Sequence, residues 1–97
     1  MEEVILKTKE VRVRIIGLEP SETGKWHYHT EVTDNMFCLT GTLSVFLKGP
    51  DEEVSLFPGQ RCEVVKGRVH RVMNRGPNGA KYLLVQGVGG YDFNVVQ

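Results

Sequence analysis

Turn-forming residues divide this chain so finely that no window of ten residues carries a helical hydrophobic period free of Gly or Pro. What lies between the turns reads as short strands. Val11, Val13 and Ile15 alternate with Arg12 and Arg14, the period-two pattern of a half-buried strand. Glu19-Pro20-Ser21-Glu22-Thr23-Gly24 closes that segment with turn chemistry. Further strand-like runs cover 26–30, 36–40, 43–47, 54–57, 61–66, 69–74 and 81–88. They are punctuated by Gly49-Pro50-Asp51, Pro58-Gly59, Gly67 and Arg75-Gly76-Pro77-Asn78-Gly79. About eight or nine short strands at near-regular spacing predict an all-β sandwich or barrel with little or no helix.

At 97 residues the chain is long enough for one modest core, and no repeat, low-complexity segment or composition shift marks a linker. Residues 1–97 are therefore expected to form a single domain. Twelve Lys and Arg balance twelve Asp and Glu, which leaves no basic excess to attract nucleic acid or an anionic membrane. The amino terminus is acidic where an export signal is basic, and no stretch approaches the roughly 20 apolar residues of a membrane span. Cys38 and Cys62 are too few for a disulfide framework and read as free thiols. The expectation is a soluble, cytoplasmic protein with neither a nucleic-acid nor a membrane partner.

The chemistry concentrates in the histidines. There are three, at positions 27, 29 and 70. His27 and His29 are two apart in a predicted strand, so both project from one face, where a pair of imidazoles can close on one metal ion without bending the backbone. Asp34 follows where a short turn could return its carboxylate beside them, and His70 could arrive from a later strand across the barrel. Glu31 competes with Asp34, because strand alternation sets it on the face of His27 and His29. Asp34 also has a plain role as a turn residue in Thr33-Asp34-Asn35.

These residues resemble the cupin superfamily. Its first motif is reproduced by His27-Tyr28-His29, four residues, Asp34, six residues and Gly41, and its second by Val65-Lys66-Gly67, two residues, His70, three residues and Asn74. Asp34 stands where the family has Glu, Val65 stands where it has Pro, and no Gly lies five residues before His27. The resemblance implies a double-stranded β-helix (jelly-roll) cupin barrel with His27, His29, Asp34 and His70 as metal ligands. The motif spacing to Gly41 favours Asp34 over Glu31. It also implies a homodimer, since small cupins commonly pair. Trp26 and Tyr28 alternate with the ligands and face outward, where they either pack under the amino-terminal strand or form the subunit contact.

Three imidazoles and a carboxylate suit Mn, Fe, Co, Ni, Cu or Zn and disfavour Ca or Mg, which prefer oxygen shells. An octahedral ion so held keeps two positions open, as a dioxygenase, decarboxylase or isomerase acting on a small polar organic substrate requires. A non-catalytic module that binds or senses a small molecule uses the same barrel. A purely structural ion fits less well, since structural zinc sites are closed and rich in Cys. The residues that could add an acid, base or anion contact are Arg68, Cys38, Tyr82 and Gln86, and Met36 shares the face of Asp34.

Overall fold

The computed structural model describes residues 1–97 and contains ten strands and no helix. They are β1 (Glu2–Lys7), β2 (Arg12–Leu18), β3 (His27–Tyr28), β4 (Thr33–Thr40), β5 (Leu43–Leu47), β6 (Glu52–Leu56), β7 (Arg61–Val64), β8 (His70–Met73), β9 (Ala80–Gly87) and β10 (Asn94–Val95). One sheet runs β1-β2-β9-β4-β7 and the other β10-β3-β8-β5-β6, with every pair antiparallel. From β6 onward each successive strand enters the opposite sheet. The chain thus winds around a single interior, the jelly-roll topology expected of the fold. With no helix at all, none is long and apolar enough to cross a membrane.

Period-two alternation fills that interior. Met36 and Cys38 from β4, Leu43, Val45 and Leu47 from β5, Cys62 and Val64 from β7, and Tyr82 and Leu84 from β9 form the core. Both cysteines are buried and unpaired. Turns are set by glycines with positive φ, of which Gly41 (φ 75°) is the most confined, because a Cβ there would lie 2.7 Å from the Gly79 carbonyl oxygen. Asn74, fully buried, ties the turn before β9 to the barrel. Its Nδ2 donates to the carbonyls of Leu18 and Asn78, and its Oδ1 accepts from the Gly76 N–H.

Three expectations need correction. In β2 the apolar residues Val13 and Ile15 do not face the core; Arg14 and Leu18 are the buried residues and Ile16 packs on the core. β1 and β10 add strands where none is expected. Glu2–Lys7 alternates weakly, and a two-residue strand leaves no period to read. Trp26 and Tyr28 do face away from the interior, but β1 lies on the other sheet and does not cover them. Instead Lys48 and Arg71 lie over the Trp26 ring, at 4.5 and 4.7 Å, and β10 pairs alongside Tyr28.

Candidate metal centre

Two cross-strand pairs build the site, one from each sheet. His27 on β3 stands directly opposite His70 on β8, and Asp34 on β4 directly opposite Gln86 on β9. His29 enters one residue beyond β3 on the same side as His27. One ligand atom from each of His27, His29, Asp34 and His70 lies within 4.8 Å of all the others. His29, Asp34 and His70 are each 3 % exposed or less, and His27 is half-buried. Glu31 is outside the cluster: it is exposed, and its carboxylate accepts the Gly90 N–H.

The outer nitrogen of every imidazole is tied to a backbone carbonyl. His27 Nδ1–H donates to Lys25 at 2.7 Å, His29 Nδ1–H to Asp92 at 2.6 Å, and His70 Nδ1–H to Arg68 at 2.8 Å. Each neutral ring therefore turns a bare Nε2 lone pair inward, since the carbonyl can only accept. Asp34 Oδ2, also an acceptor, sits 3.2 Å from His29 Nε2 and 3.0 Å from His70 Nε2. Four acceptors facing one another need either protons or a cation between them, and the set chemically fits a borderline transition ion.

The proton affinities follow from this crowding. Burial works against the charge on Asp34, but hydrogen bonds from His29, His70 and Gln86 prevail and hold its pKa below the usual carboxylate range. Burial likewise opposes a proton on His29, and the Asp34 contact overcomes it, so that pKa is raised. His27 has no such partner; burial and the neighbouring imidazoles lower its pKa to about 4.

Around these four residues the arrangement is ordered. Gln86 Nε2 donates to Asp34 Oδ1 at 3.0 Å, and Gln86 Oε1 accepts from Arg14 at 2.7 Å. Arg14 in turn donates to Glu2 at 2.9 Å. A carboxy-terminal strap closes the mouth: Phe93 stacks on His27 at 4.2 Å, Tyr91 tilts against His29, and Asp92 accepts hydrogen bonds from Thr30 N–H and Oγ1. The cavity bounded by these groups has a volume of about 190 Å³, and Ile16, Leu18, Met36, Val72, Tyr82 and Leu84 line its inner part.

Among the residues expected to add chemistry, Tyr82 and Gln86 line this cavity. Arg68 does not; it is held at the surface by Glu52 and the carbonyls of Lys48 and Pro50. Cys38 is core packing, with its thiol directed at the carbonyls of Thr40 and Gly41. Arg14 and the 91–93 strap were not foreseen. Arg14 lies in an alternation whose apolar members, Val13 and Ile15, mark the expected inner face, and the strap carries no motif.

The family profile described as Cupin domain matches residues 14–86. Among solved structures, a conserved protein with a double-stranded β-helix domain from Klebsiella pneumoniae superimposes with TM-score 0.87 at 23 % identity, covering 100 % of this chain and 84 % of that one. KdgF from a Halomonas species gives 0.78 at 16 % identity over 90 % of this chain and 78 % of its own. An oxalate oxidase gives 0.82 at 17 % identity over 90 % of this chain but only 46 % of its own. No curated protein matches. With the profile spanning both ligand motifs and the barrel topology in agreement, the chain belongs to the cupin family.

Proposed function

We propose that residues 1–97 act as one cupin domain in which His27, His29, Asp34 and His70 hold a divalent transition ion, one of Mn, Fe, Co, Ni, Cu or Zn. The observation that carries this reading is the convergence of four inward-turned acceptors whose outer atoms are already fixed. When bound, the ion supplies Lewis-acid or redox chemistry at positions the four ligands leave open. The chain's own residues shape what reaches it. A cavity of about 190 Å³, compared with the roughly 150 Å³ that accommodates benzene, admits a molecule of about eight non-hydrogen atoms. Arg14 and Lys25 offer positive charge on its lining, while Phe93 and Tyr91 restrict water at the mouth.

The reading is a metalloenzyme of the dioxygenase, decarboxylase or isomerase type on a small polar organic substrate, working as a cytoplasmic homodimer. A second reading is a module that binds or senses such a molecule without transforming it. It is favoured by one feature: no His or carboxylate beyond the four ligands lines the cavity to serve as acid or base. The test is metal analysis of the purified protein, followed by a nuclear magnetic resonance screen of small carboxylic acids against the metal-loaded form. Turnover of any acid supports the enzyme, shifts without turnover support the module, and sub-stoichiometric metal rejects both.

A further inference from the structure

β9 sends Gln86, Leu84 and Tyr82 into the barrel at period two, opposite Asp34, Met36 and Cys38 of β4. The cavity is graded accordingly. Gln86 and Asp34 belong to its metal end, and Leu84 and Met36 line an apolar middle. Tyr82 stands at the inner end, about 13 Å from Gln86 along the strand. Ile16, directly opposite Tyr82 on β2, completes that inner lining with Leu18 and Val72.

One polar group in this lining has no partner. Among the lining side chains at least nine-tenths buried, Arg14 bonds to Glu2 and Gln86, His29 to Asp34, and Asp34 to Gln86. Tyr82 is 6 % exposed, and no group of the chain bonds to its hydroxyl. Cys38, across the strand pair, directs its thiol at the carbonyls of Thr40 and Gly41 instead. Nor is the hydroxyl sealed in, because the side-chain atoms closed off without a partner are Arg14 Nε and Arg71 Nε. It opens onto space, and the space that Tyr82 lines is the cavity. In an aliphatic pocket such a hydroxyl has at most a trapped water to bond, and phenylalanine would fill the same volume without that burden. The group has a use where a ligand supplies its partner.

We propose that Tyr82 is a specificity-determining residue, donating its hydroxyl to a carbonyl oxygen at the far end of a small oxo acid whose carboxylate meets the metal end. This assignment rests on the metal-holding, acid-binding reading above and names the substrate class within it. Burial and the charge of Asp34 raise the Tyr82 pKa, which keeps the phenol a donor. A carbonyl only accepts. A ligand hydroxyl would bring a second donor that the aliphatic walls cannot satisfy, and a second carboxylate would bring an uncompensated charge. The short aliphatic stretch of such an acid matches the lining at Leu84 and Met36.

The test is isothermal titration calorimetry on the full chain loaded with zinc, which is redox-inert and leaves the probes unoxidised. The probes are 4-oxopentanoate and 5-oxohexanoate, each beside the isostere with methyl in place of the carbonyl oxygen, 4-methylpentanoate and 5-methylhexanoate. At least one oxo acid is expected to bind about tenfold more tightly than its isostere, which leaves the hydroxyl unpaired. Tyr82→Phe reduces that preference to about twofold or less, leaves metal content unchanged and does not lower the melting temperature, since it breaks no bond within the chain. Equal binding within both pairs by the wild type overturns the proposal, as does a preference that survives in Tyr82→Phe. A lower melting temperature in Tyr82→Phe overturns it too, by giving the hydroxyl a structural role. No binding by any of the four acids overturns it while the metal reading stands, and sub-stoichiometric zinc overturns the metal reading and this proposal together.

Discussion

Gln86 donates one amide hydrogen to Asp34 Oδ1 at 3.0 Å, across a directly opposed pair of β9 and β4 residues. Arg14 fixes which end of the amide does this. A guanidinium only donates, so Gln86 Oε1 turns to Arg14 and its NH₂ to Asp34. With Oδ1 engaged, Oδ2 is the oxygen directed at His29 and His70. Gln86→Leu removes that constraint and is expected to weaken metal binding about ten- to a hundredfold, the usual range for a residue that orients a ligand. Arg14→Met acts in the same direction but less strongly, because it frees only the amide. Competition titration with a chromophoric chelator measures both, and equal affinities in wild type and Gln86→Leu would show that Asp34 orients itself.

Asp34 and Glu31 are separated by a simple comparison. Glu31 lies outside the cluster with its carboxylate on the Gly90 N–H, whereas Asp34 is 1 % exposed at its centre. Asp34→Asn is expected to weaken metal binding by about a hundredfold or more, exceeding what loss of an orienting residue causes. Glu31→Gln should leave metal content unchanged. Elemental analysis of the two purified variants decides the matter. A full metal complement in Asp34→Asn would assign the carboxylate a purely structural place between the imidazoles.

The contrast between those two acids shows how far the sequence could be read. His27-x-His29 and His70 were legible because strand period and motif spacing agree, and Asp34 because it alone keeps the distance to Gly41. β2 was misleading for a physical reason. Its aliphatic residues Val13 and Ile15 serve the outside of the sheet, while Arg14 turns inward, where its charge is met by Glu2 and its hydrogen bond by Gln86. Alternation gives a period but not a side. The strap at residues 91–93 was invisible because its contacts, Phe93 on His27 and the Asp92 carbonyl on His29, join positions more than sixty residues apart with no local pattern.

That strap is expected to bear on the site. The Asp92 carboxylate accepts from Thr30 N–H and Oγ1, and those bonds lower its pKa to about 2. A depressed carboxylate pKa helps hold the strap above its unfolded value near 4, and that help fades as pH falls from 4 towards 2. Asp92→Ala should free the strap at neutral pH, raising amide hydrogen exchange over residues 88–97. Because the Asp92 carbonyl orients His29, metal affinity should fall about tenfold. Faster exchange with unchanged affinity would show that His29 keeps its orientation without the strap.

The alkaline limit is set by different groups. Burial raises the pKa of Cys38, of Cys62 and of Tyr82. For an acid that is neutral when protonated, a raised folded pKa gives stability that is complete below the unfolded pKa and is lost as pH rises through the folded one. Unfolded thiols titrate near 8.5 and tyrosine near 10. Urea denaturation is therefore expected to show a plateau up to about pH 8, then a decline that steepens above pH 10. Tyr82→Phe should flatten the steeper part, and an unchanged slope in that variant would rule out Tyr82 as its source.

Gly41 and Gly59 both take positive φ, 75° and 89°, but only one is enclosed. A Cβ at Gly41 would lie 2.7 Å from the Gly79 carbonyl oxygen and 2.8 Å from the Ala80 Cβ, whereas nothing lies within 4 Å at Gly59. Gly59→Ala therefore meets only the left-handed backbone penalty, about 1–2 kcal/mol. Gly41→Ala adds a clash with backbone that also anchors the start of β9, and about 3 kcal/mol or more in total is expected. For a domain near 100 residues these convert to melting-temperature losses of about 5–15 °C and about 15 °C or more. Differential scanning calorimetry of the two variants provides the comparison. Equal losses would show that the β4–β5 turn relaxes away from Gly79, and that backbone conformation alone reserves both positions for glycine.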